Sequence, residues 1–183
     1  CEVSGAAFLP DGIAERLPHL PGGAVALRLE GVAPSVSARR AMLLSVLASF
    51  GSGLVLEAEA SRALWAAVRD VKPFWGLGER AVWRLSTAPT AGPPLAARLA
   101  AELGAEAYCD WAGGLVWACL PGEASPAEGV RALLAPSGGH ATLIRASAAE
   151  RARVAVFQPE TGALAALQSR VKASFDPAGV LNP

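Results

Sequence analysis

The chain ends in a segment that carries a side chain suited to ligand contact. Residues 174–183 read SFDPAGVLNP, and the helical pattern over 161–175 cannot continue through Pro177. Asn182, which has both a donor and an acceptor, stands just before the final proline. It suits two roles, because it could close a turn or contact the edge of a flat polar ligand. The composition of the segment does not distinguish them.

Other groups that could do chemistry are few. Cys1, Cys109 and Cys119 form no CxxC pair, and with only two histidines the sequence offers no spacing for zinc or an iron–sulfur cluster. Phosphate-binding glycine loops and a GxSxG motif are also missing from the sequence. We therefore predict no metal site and reduced thiols, and the sequence identifies no catalytic residue.

Strand alternation predicts one mixed face on the sheet, with polar and aromatic side chains together. Its members are Arg28, Glu30, Glu57, Val82, Arg84, Ser86, Tyr108, Asp110 and Trp117. The set is too polar for a core and aromatic enough for a binding surface. Two interpretations stay open: a binding site, or a solvated face with ion pairs.

The elements that must position these residues alternate between strands and helices. In the second half the hydrophobic patterns predict strands at 82–88, 105–111, 115–120 and 141–146, with helices at 94–103 and 126–134. The order β-α-β-β-α-β is that of the ferredoxin-like split unit, an antiparallel sheet with both helices on one face. A hairpin turn at Gly113 and Gly114 would pair Cys109 with Ala118, which puts Cys109 and Cys119 on opposite faces.

The first half reads as an imperfect version of the same unit. Its patterns predict strands at 2–9, 25–31 and 53–58, with helices at 35–50 and 61–71. The segment KPFWGLG breaks the pattern after residue 71 and separates candidate halves 1–72 and 80–183. We therefore predict an α+β fold: an antiparallel sheet with helices mainly on one face, in two ferredoxin-like halves.

Charge and hydropathy exclude two classes of partner. The 183 residues include 16 basic and 16 acidic ones without a basic run, so nothing points to nucleic acid or an anionic membrane. No apolar stretch reaches the roughly 18 residues of a membrane span. The expected location is cytoplasmic. The chain also begins without Met, which favours a fragment or a processed piece.

Three stretches resemble one enzyme family. The ending FDPAGVLNP is similar to the closing motif of FAD-linked oxidases of the vanillyl-alcohol oxidase and p-cresol methylhydroxylase class. The stretches LWAAVRDVKPFW with AVWRLSTAP (64–89) and DWAGGLVWACLP (110–121) resemble the FAD-binding subunit of bacterial glycolate oxidase. The resemblance covers essentially the whole chain and maps it onto the C-terminal cap, or substrate, domain of that FAD-binding subunit.

The resemblance implies a function and a set of site residues. It implies a cap over FAD in an oxidase or dehydrogenase that converts glycolate to glyoxylate, with the FAD-binding domain absent from residues 1–183 and no FAD expected in this fragment alone. Arg84 or Arg28 would hold a carboxylate, Trp117 would wall the pocket, and Asn182 would contact the flavin.

The implied partners are the other glycolate oxidase subunits, a larger flavoprotein subunit and an iron–sulfur subunit. Through such a complex the chain could also lie at the periphery of the inner membrane. The family's larger catalytic subunit carries a histidine-rich motif that this sequence lacks. An alternative therefore stays open: a non-catalytic structural or electron-relay domain that docks partner subunits.

Overall fold

A computed structural model describes residues 1–122, 126–160 and 162–181. The strands are β1 (Gly5–Leu9), β2 (Ala24–Arg28), β3 (Val82–Ser86), β4 (Glu106–Asp110), β5 (Leu115–Cys119) and β6 (His140–Arg145). The α-helices are α1 (Asp11–Ala14), α2 (Ala33–Leu47), α3 (Ala58–Arg69), α4 (Gly92–Leu103), α5 (Ala127–Leu134), α6 (Ala148–Arg153) and α7 (Gly162–Phe175). Short 3-10 helices include Ala48–Phe50, Lys72–Phe74 and Trp111–Gly113.

The strands form one six-stranded antiparallel sheet in the order β2-β1-β4-β5-β3-β6. Within it, the order β4-β5-β3-β6 is that of a ferredoxin-like unit whose first and last strands in sequence are neighbours. The predicted α+β fold with an antiparallel sheet is confirmed, and so is the split unit of the second half.

The first half extends this sheet instead of building a second unit. Strands β1 and β2 pair with each other, and β1 joins β4 where Phe8 faces Cys109. The predicted strand at 53–58 pairs with no strand among the described residues, and residues 51–57 have no regular structure before α3 begins. The alternation of that segment does not lead to pairing, although β2 is the outermost of the described strands. The first half therefore contributes two strands to a shared sheet.

One face of the sheet, the α4/α5 face, is a conventional apolar core. Trp83, Leu85 and Val116 from the strands are fully buried there. They pack in one cluster with Leu95 and Leu99 of α4 and with residues of α5. Helix α4 ends at Gly104, whose φ of +63° suits glycine, and the N–H of Gly104 donates to the carbonyl of Ala100. The period-two pattern of the strands predicted this face correctly.

The opposite face, the α1/α3 face, is also covered by helices. Leu64 and Val68 of α3, Ile13 of α1 and Phe74 pack in one cluster with strand residues such as Leu9. The sheet therefore carries helices on both faces, which corrects the prediction that they lie mainly on one. The helical pattern of Leu64 and Val68 was evident from the sequence, but the face of the sheet that it would cover was not.

The hairpin between β4 and β5 differs from its predicted register. Cys109 faces Val116 instead of Ala118, because the connection spans Trp111 to Gly114 and not two glycines. Gly113 has a φ of +96°, and a Cβ there would collide with the carbonyl oxygen of Pro89. The shift is two residues, so each side chain keeps its face. The opposite placement of Cys109 and Cys119 is confirmed, and both are free thiols.

Helices α2 and α7 form as predicted, but neither buries a residue. On α7 the apolar stripe of Leu164, Leu167, Val171 and Phe175 stays exposed, and Phe175 is 82% exposed. On and after α2, Met42, Val46 and Phe50 are exposed as well. No helix in the described part of the chain is long and apolar enough to span a membrane.

Candidate functional site

Most of the aromatic part of the predicted mixed face is buried. Val82, Tyr108 and Trp117 are only 4%, 0% and 9% exposed, because α3 and the following segment cover them. The Tyr108 hydroxyl donates to the carbonyl of Val68 at 2.9 Å, and burial raises the pKa of Tyr108 well above its ordinary value. The expected open aromatic surface is therefore part of a core, which corrects the sequence prediction.

Arg84 lies where this face emerges from beneath the helices. Its guanidinium stacks over the ring of Trp111 at 5.3 Å, and its neighbours across β5 and β6 are Trp117 and Thr142. Among the described residues the guanidinium has no hydrogen bond or ion pair. The stacking orients a half-buried cation that retains its full hydrogen-bonding capacity.

Arg28 lies far from Arg84 and already has a partner. It is on β2 and forms an ion pair with Glu30 at 2.8 Å. Three strands separate β2 from β3 in the sheet, so the two arginines stand about 19 Å apart at ordinary strand spacing. They cannot hold one small ligand together. The site residues that the structure brings together are Arg84 and Trp117.

The C-terminal motif forms an ordered turn organised by Asp176. The Asp176 carboxylate accepts hydrogen bonds from the N–H groups of Val180 at 2.9 Å and Leu181 at 2.8 Å. These backbone hydrogen bonds hold the pKa of Asp176 below its usual range, and the bond from Leu181 makes the largest contribution. Val180 and Leu181 are exposed at 73% and 61%. Asn182 and Pro183 lie outside the described residues.

Neither metal chemistry nor thiol chemistry is supported by the geometry. The described residues contain no group of three or more histidine, cysteine, aspartate or glutamate side chains placed to hold a metal ion. Cys109 and Cys119 are buried, and burial raises the pKa of the Cys109 thiol to about 11 and that of Cys119 above its ordinary value. Both thiols are therefore protonated at neutral pH and are poor nucleophiles.

A cleft that the sequence analysis missed opens beside Trp117. It has a volume of about 210 Å³ and is lined by Asp70, Val71, Phe74, Trp75, Val82, Trp117, Ile144 and Arg145. In a regular strand Arg145 would lie on the same face as Leu143, which packs in the α4/α5 core. Instead the register shifts between Val82 and Trp83, and Arg145 faces Val82. A bulge of this kind has no clear signal in the sequence.

Three guanidiniums gather near one end of the cleft. Glu106 pairs with Arg80 at 2.7 Å and also with Arg16. Arg145 donates from Nε to the carbonyl of Arg80 at 3.3 Å. The charges of all three arginines partly offset the rise that burial causes in the pKa of the Cys119 thiol. Glu106 is thus shared by two cations, and Arg145 has no carboxylate partner among the described residues.

Comparisons of the chain with protein-family models, with curated proteins and with solved structures find no match.

Proposed function

We propose that this chain is the cap domain of an FAD-dependent 2-hydroxy acid oxidase or dehydrogenase subunit, acting on glycolate within a multi-subunit complex. The cap covers the flavin, and the complex includes a larger flavoprotein subunit and an iron–sulfur subunit. The proposal starts from the resemblance of the three sequence stretches. The structural observation that carries it is the turn that the C-terminal motif forms.

The turn has the features of a surface prepared for a partner. Asp176 fixes the backbone, so Val180 and Leu181 are held in place while their apolar side chains face solvent. Exposed apolar groups on a rigid turn are costly in water and gain free energy when another surface covers them. In this proposal the covering surface is the flavin domain, and the flavin contact that the resemblance implies for Asn182 concerns a residue outside the described part of the chain.

Arg84 is the residue that would recognise the substrate carboxylate. Its unpaired guanidinium can form two parallel hydrogen bonds with a carboxylate, and its stacking on Trp111 limits the orientations it adopts. Trp117, directly across on β5, excludes water from one side. Arg28 is too distant to take part in the same contact.

FAD itself is assigned to another part of the assembly. The cleft beside Trp117, at about 210 Å³, is below the roughly 300 Å³ at which sites for drug-sized ligands begin. A flavin with its ribityl chain does not fit there. When bound in the assembly, FAD supplies the hydride acceptor, and this chain's residues orient the acid and exclude water.

A second candidate function is a non-catalytic domain that docks partner subunits. The observation that favours it is the pair of helices α2 and α7, which expose apolar stripes and bury no residue. Such surfaces are typical of regions covered in an assembly. Under this alternative Arg84 has no substrate.

The yellow colour of a bound flavin, and its loss when a substrate reduces the flavin, distinguish the two functions. The full-length polypeptide that carries this chain is purified without the other subunits, so that the larger flavoprotein subunit contributes no colour, and glycolate is added without oxygen. A cap domain predicts a yellow preparation that glycolate bleaches. A yellow preparation that neither glycolate nor lactate bleaches favours the docking function, and a colourless one contradicts the cap function.

Two arginine variants locate the substrate contact. Arg84→Met should raise the glycolate concentration needed for half bleaching by about tenfold or more, because a charge-assisted pair is lost. Arg98→Met, on α4 at the other face of the sheet, pairs with Glu102 and is the matched control. Equal behaviour of the two variants would remove Arg84 from the site.

A further inference from the structure

We propose that the cleft between Trp75 and Ile144 binds a small organic carboxylate with a flat apolar body, and that Arg145 holds its carboxylate. This proposal is independent of the flavin function above, because it concerns another arginine and needs no redox chemistry. It depends on four features of the cleft: a bulge, an unpartnered donor, an excess of positive charge and apolar walls.

The bulge in β6 places two side chains at the cleft. Val82 faces Arg145 while the next residue, Trp83, faces Leu143, so Ile144 is the extra residue. Ile144 and Arg145 therefore both border the cleft instead of lying on opposite faces. Bulges bend a strand and re-aim side chains, and they are frequent beside binding sites. An arginine turned toward an apolar cleft needs an explanation other than the packing of the sheet.

The Arg145 guanidinium is incompletely satisfied. Its Nε donates to the carbonyl of Arg80, but its Nη2 atom is buried and has no hydrogen-bond partner among the described residues. The Cys119 thiol beside it is only a weak acceptor. A buried charged donor without a partner is destabilising, and an incoming carboxylate would supply the acceptor that is missing.

The charges around the cleft favour an anion. Glu106 is already shared between Arg16 and Arg80, so it does not neutralise Arg145. Asp70, on the opposite wall, pairs with Arg69 at 2.7 Å. Lys72 adds a further cation over the ring of Trp75 at 5.6 Å. The cleft thus keeps a positive excess close to Arg145.

The remaining walls select the body of the ligand. Phe74, Trp75, Val82 and Trp117 present mainly apolar surface. The volume of about 210 Å³ equals that of about seven water molecules in the liquid, which accommodates one aromatic ring with a carboxylate. A fully polar anion such as phosphate would lose its hydration at these walls without compensation.

Benzoate is a suitable probe, and the tryptophans at the cleft report its binding. We expect saturable quenching of tryptophan fluorescence by benzoate in the millimolar range, and binding of the neutral analogue benzamide to be at least about tenfold weaker. Arg145→Met should weaken benzoate binding by about tenfold or more. Arg98→Met, which removes a cation on the other face, should leave it unchanged.

Several outcomes would overturn the proposal. These are equal binding of benzoate and benzamide, no saturation, competition by inorganic phosphate at constant ionic strength, or a loss of benzoate binding in Arg84→Met but not in Arg145→Met. If Arg145→Met lacks the circular dichroism spectrum of the parent, Arg145→Lys decides. It keeps the charge but not the planar fork, so it should bind benzoate more weakly, and unchanged binding would contradict the role of Arg145.

Discussion

Helices α4 and α7 have similar length and composition but differ completely in what they contact. Leu95 and Leu99 of α4 are buried at 3% and 0% exposure against the sheet. Leu164 and Leu167 of α7, which recur with helical spacing in the same way, are 48% and 47% exposed. An apolar stripe thus predicts that a residue segment is helical. It does not predict whether this chain supplies the surface that covers it.

The difference should appear first as a difference in stability. Leu99→Ala, on α4, removes a fully buried side chain and should lower the free energy of unfolding by about 2–5 kcal/mol, because it leaves a cavity. Leu167→Ala on α7 should change it by no more than about 0.5 kcal/mol, since the side chain is half exposed and alanine favours helices. Urea unfolding followed by circular dichroism measures both.

The matched substitution makes the comparison decisive. Comparable losses in the two variants would show that α7 is packed on the sheet in solution. A loss below about 1 kcal/mol in Leu99→Ala, by contrast, would contradict the α4/α5 core, since buried leucine truncations typically cost at least about 2 kcal/mol.

The same comparison explains how much of the fold could be predicted. Local patterns fix the elements of the split unit, because Trp83 and Leu85 obey a period of two relative to their neighbours and Leu64 and Val68 obey a helical period. They do not determine which sheet face α3 covers, and so Tyr108 and Trp117 were predicted to be exposed. That choice depends on contacts between residues that are distant in sequence.

The candidate site was predicted less well than the fold, for a related reason. Arg84 was identified because it alternates with the apolar residues Trp83 and Leu85 and so falls on the opposite face of the strand. Arg145 was missed because its orientation depends on a register shift opposite Val82. The pairing of Arg28 with Glu30, and its distance from Arg84, follow from the strand order, which alternation alone does not give.

A pH titration would distinguish the buried sheet from the exposed C-terminal region. Burial raises the pKa of Cys109 from about 9 to about 11, and those of Cys119 and Tyr108 also rise. Above about pH 9 the unfolded chain therefore loses protons that the folded chain keeps. The contribution of Cys109 to the free energy of unfolding should therefore be constant below about pH 9. It should fall as the pH rises toward about 11.

Cysteine variants test this assignment. Cys109→Ala should show a shallower decline of the free energy of unfolding between about pH 9 and about pH 11, because one of the shifted groups is gone. Cys1→Ala, which removes an exposed thiol, is the control and should decline as the parent does. A decline that is identical in all three proteins would mean that Cys109 is not buried as described.

The smallest effect is expected at the C-terminal turn, where hydrogen bonds and not burial shift a pKa. Asp176→Asn keeps one oxygen acceptor but replaces the other with a donor that cannot bind the N–H of Val180 or Leu181. The turn lies outside both cores, so the global unfolding transition should not move measurably. Hydrogen exchange of the Val180 and Leu181 amides, followed by NMR, should become faster.

The lowered pKa of Asp176 determines how protection of the two amides should change with pH. Because the pKa of Asp176 is lowered in the folded chain, its contribution to the turn is complete above the ordinary range of an aspartate and is lost as the pH falls through the lowered value. In the parent, protection of the two amides relative to intrinsic exchange should therefore persist through mildly acidic pH and then decline. In Asp176→Asn at least one of the two amides, the one that loses its oxygen acceptor, should be poorly protected at every pH. If the asparagine variant protected both amides as well as the parent does, the carboxylate would not organise the turn, and the structural support for a prepared surface at the end of this chain would be lost.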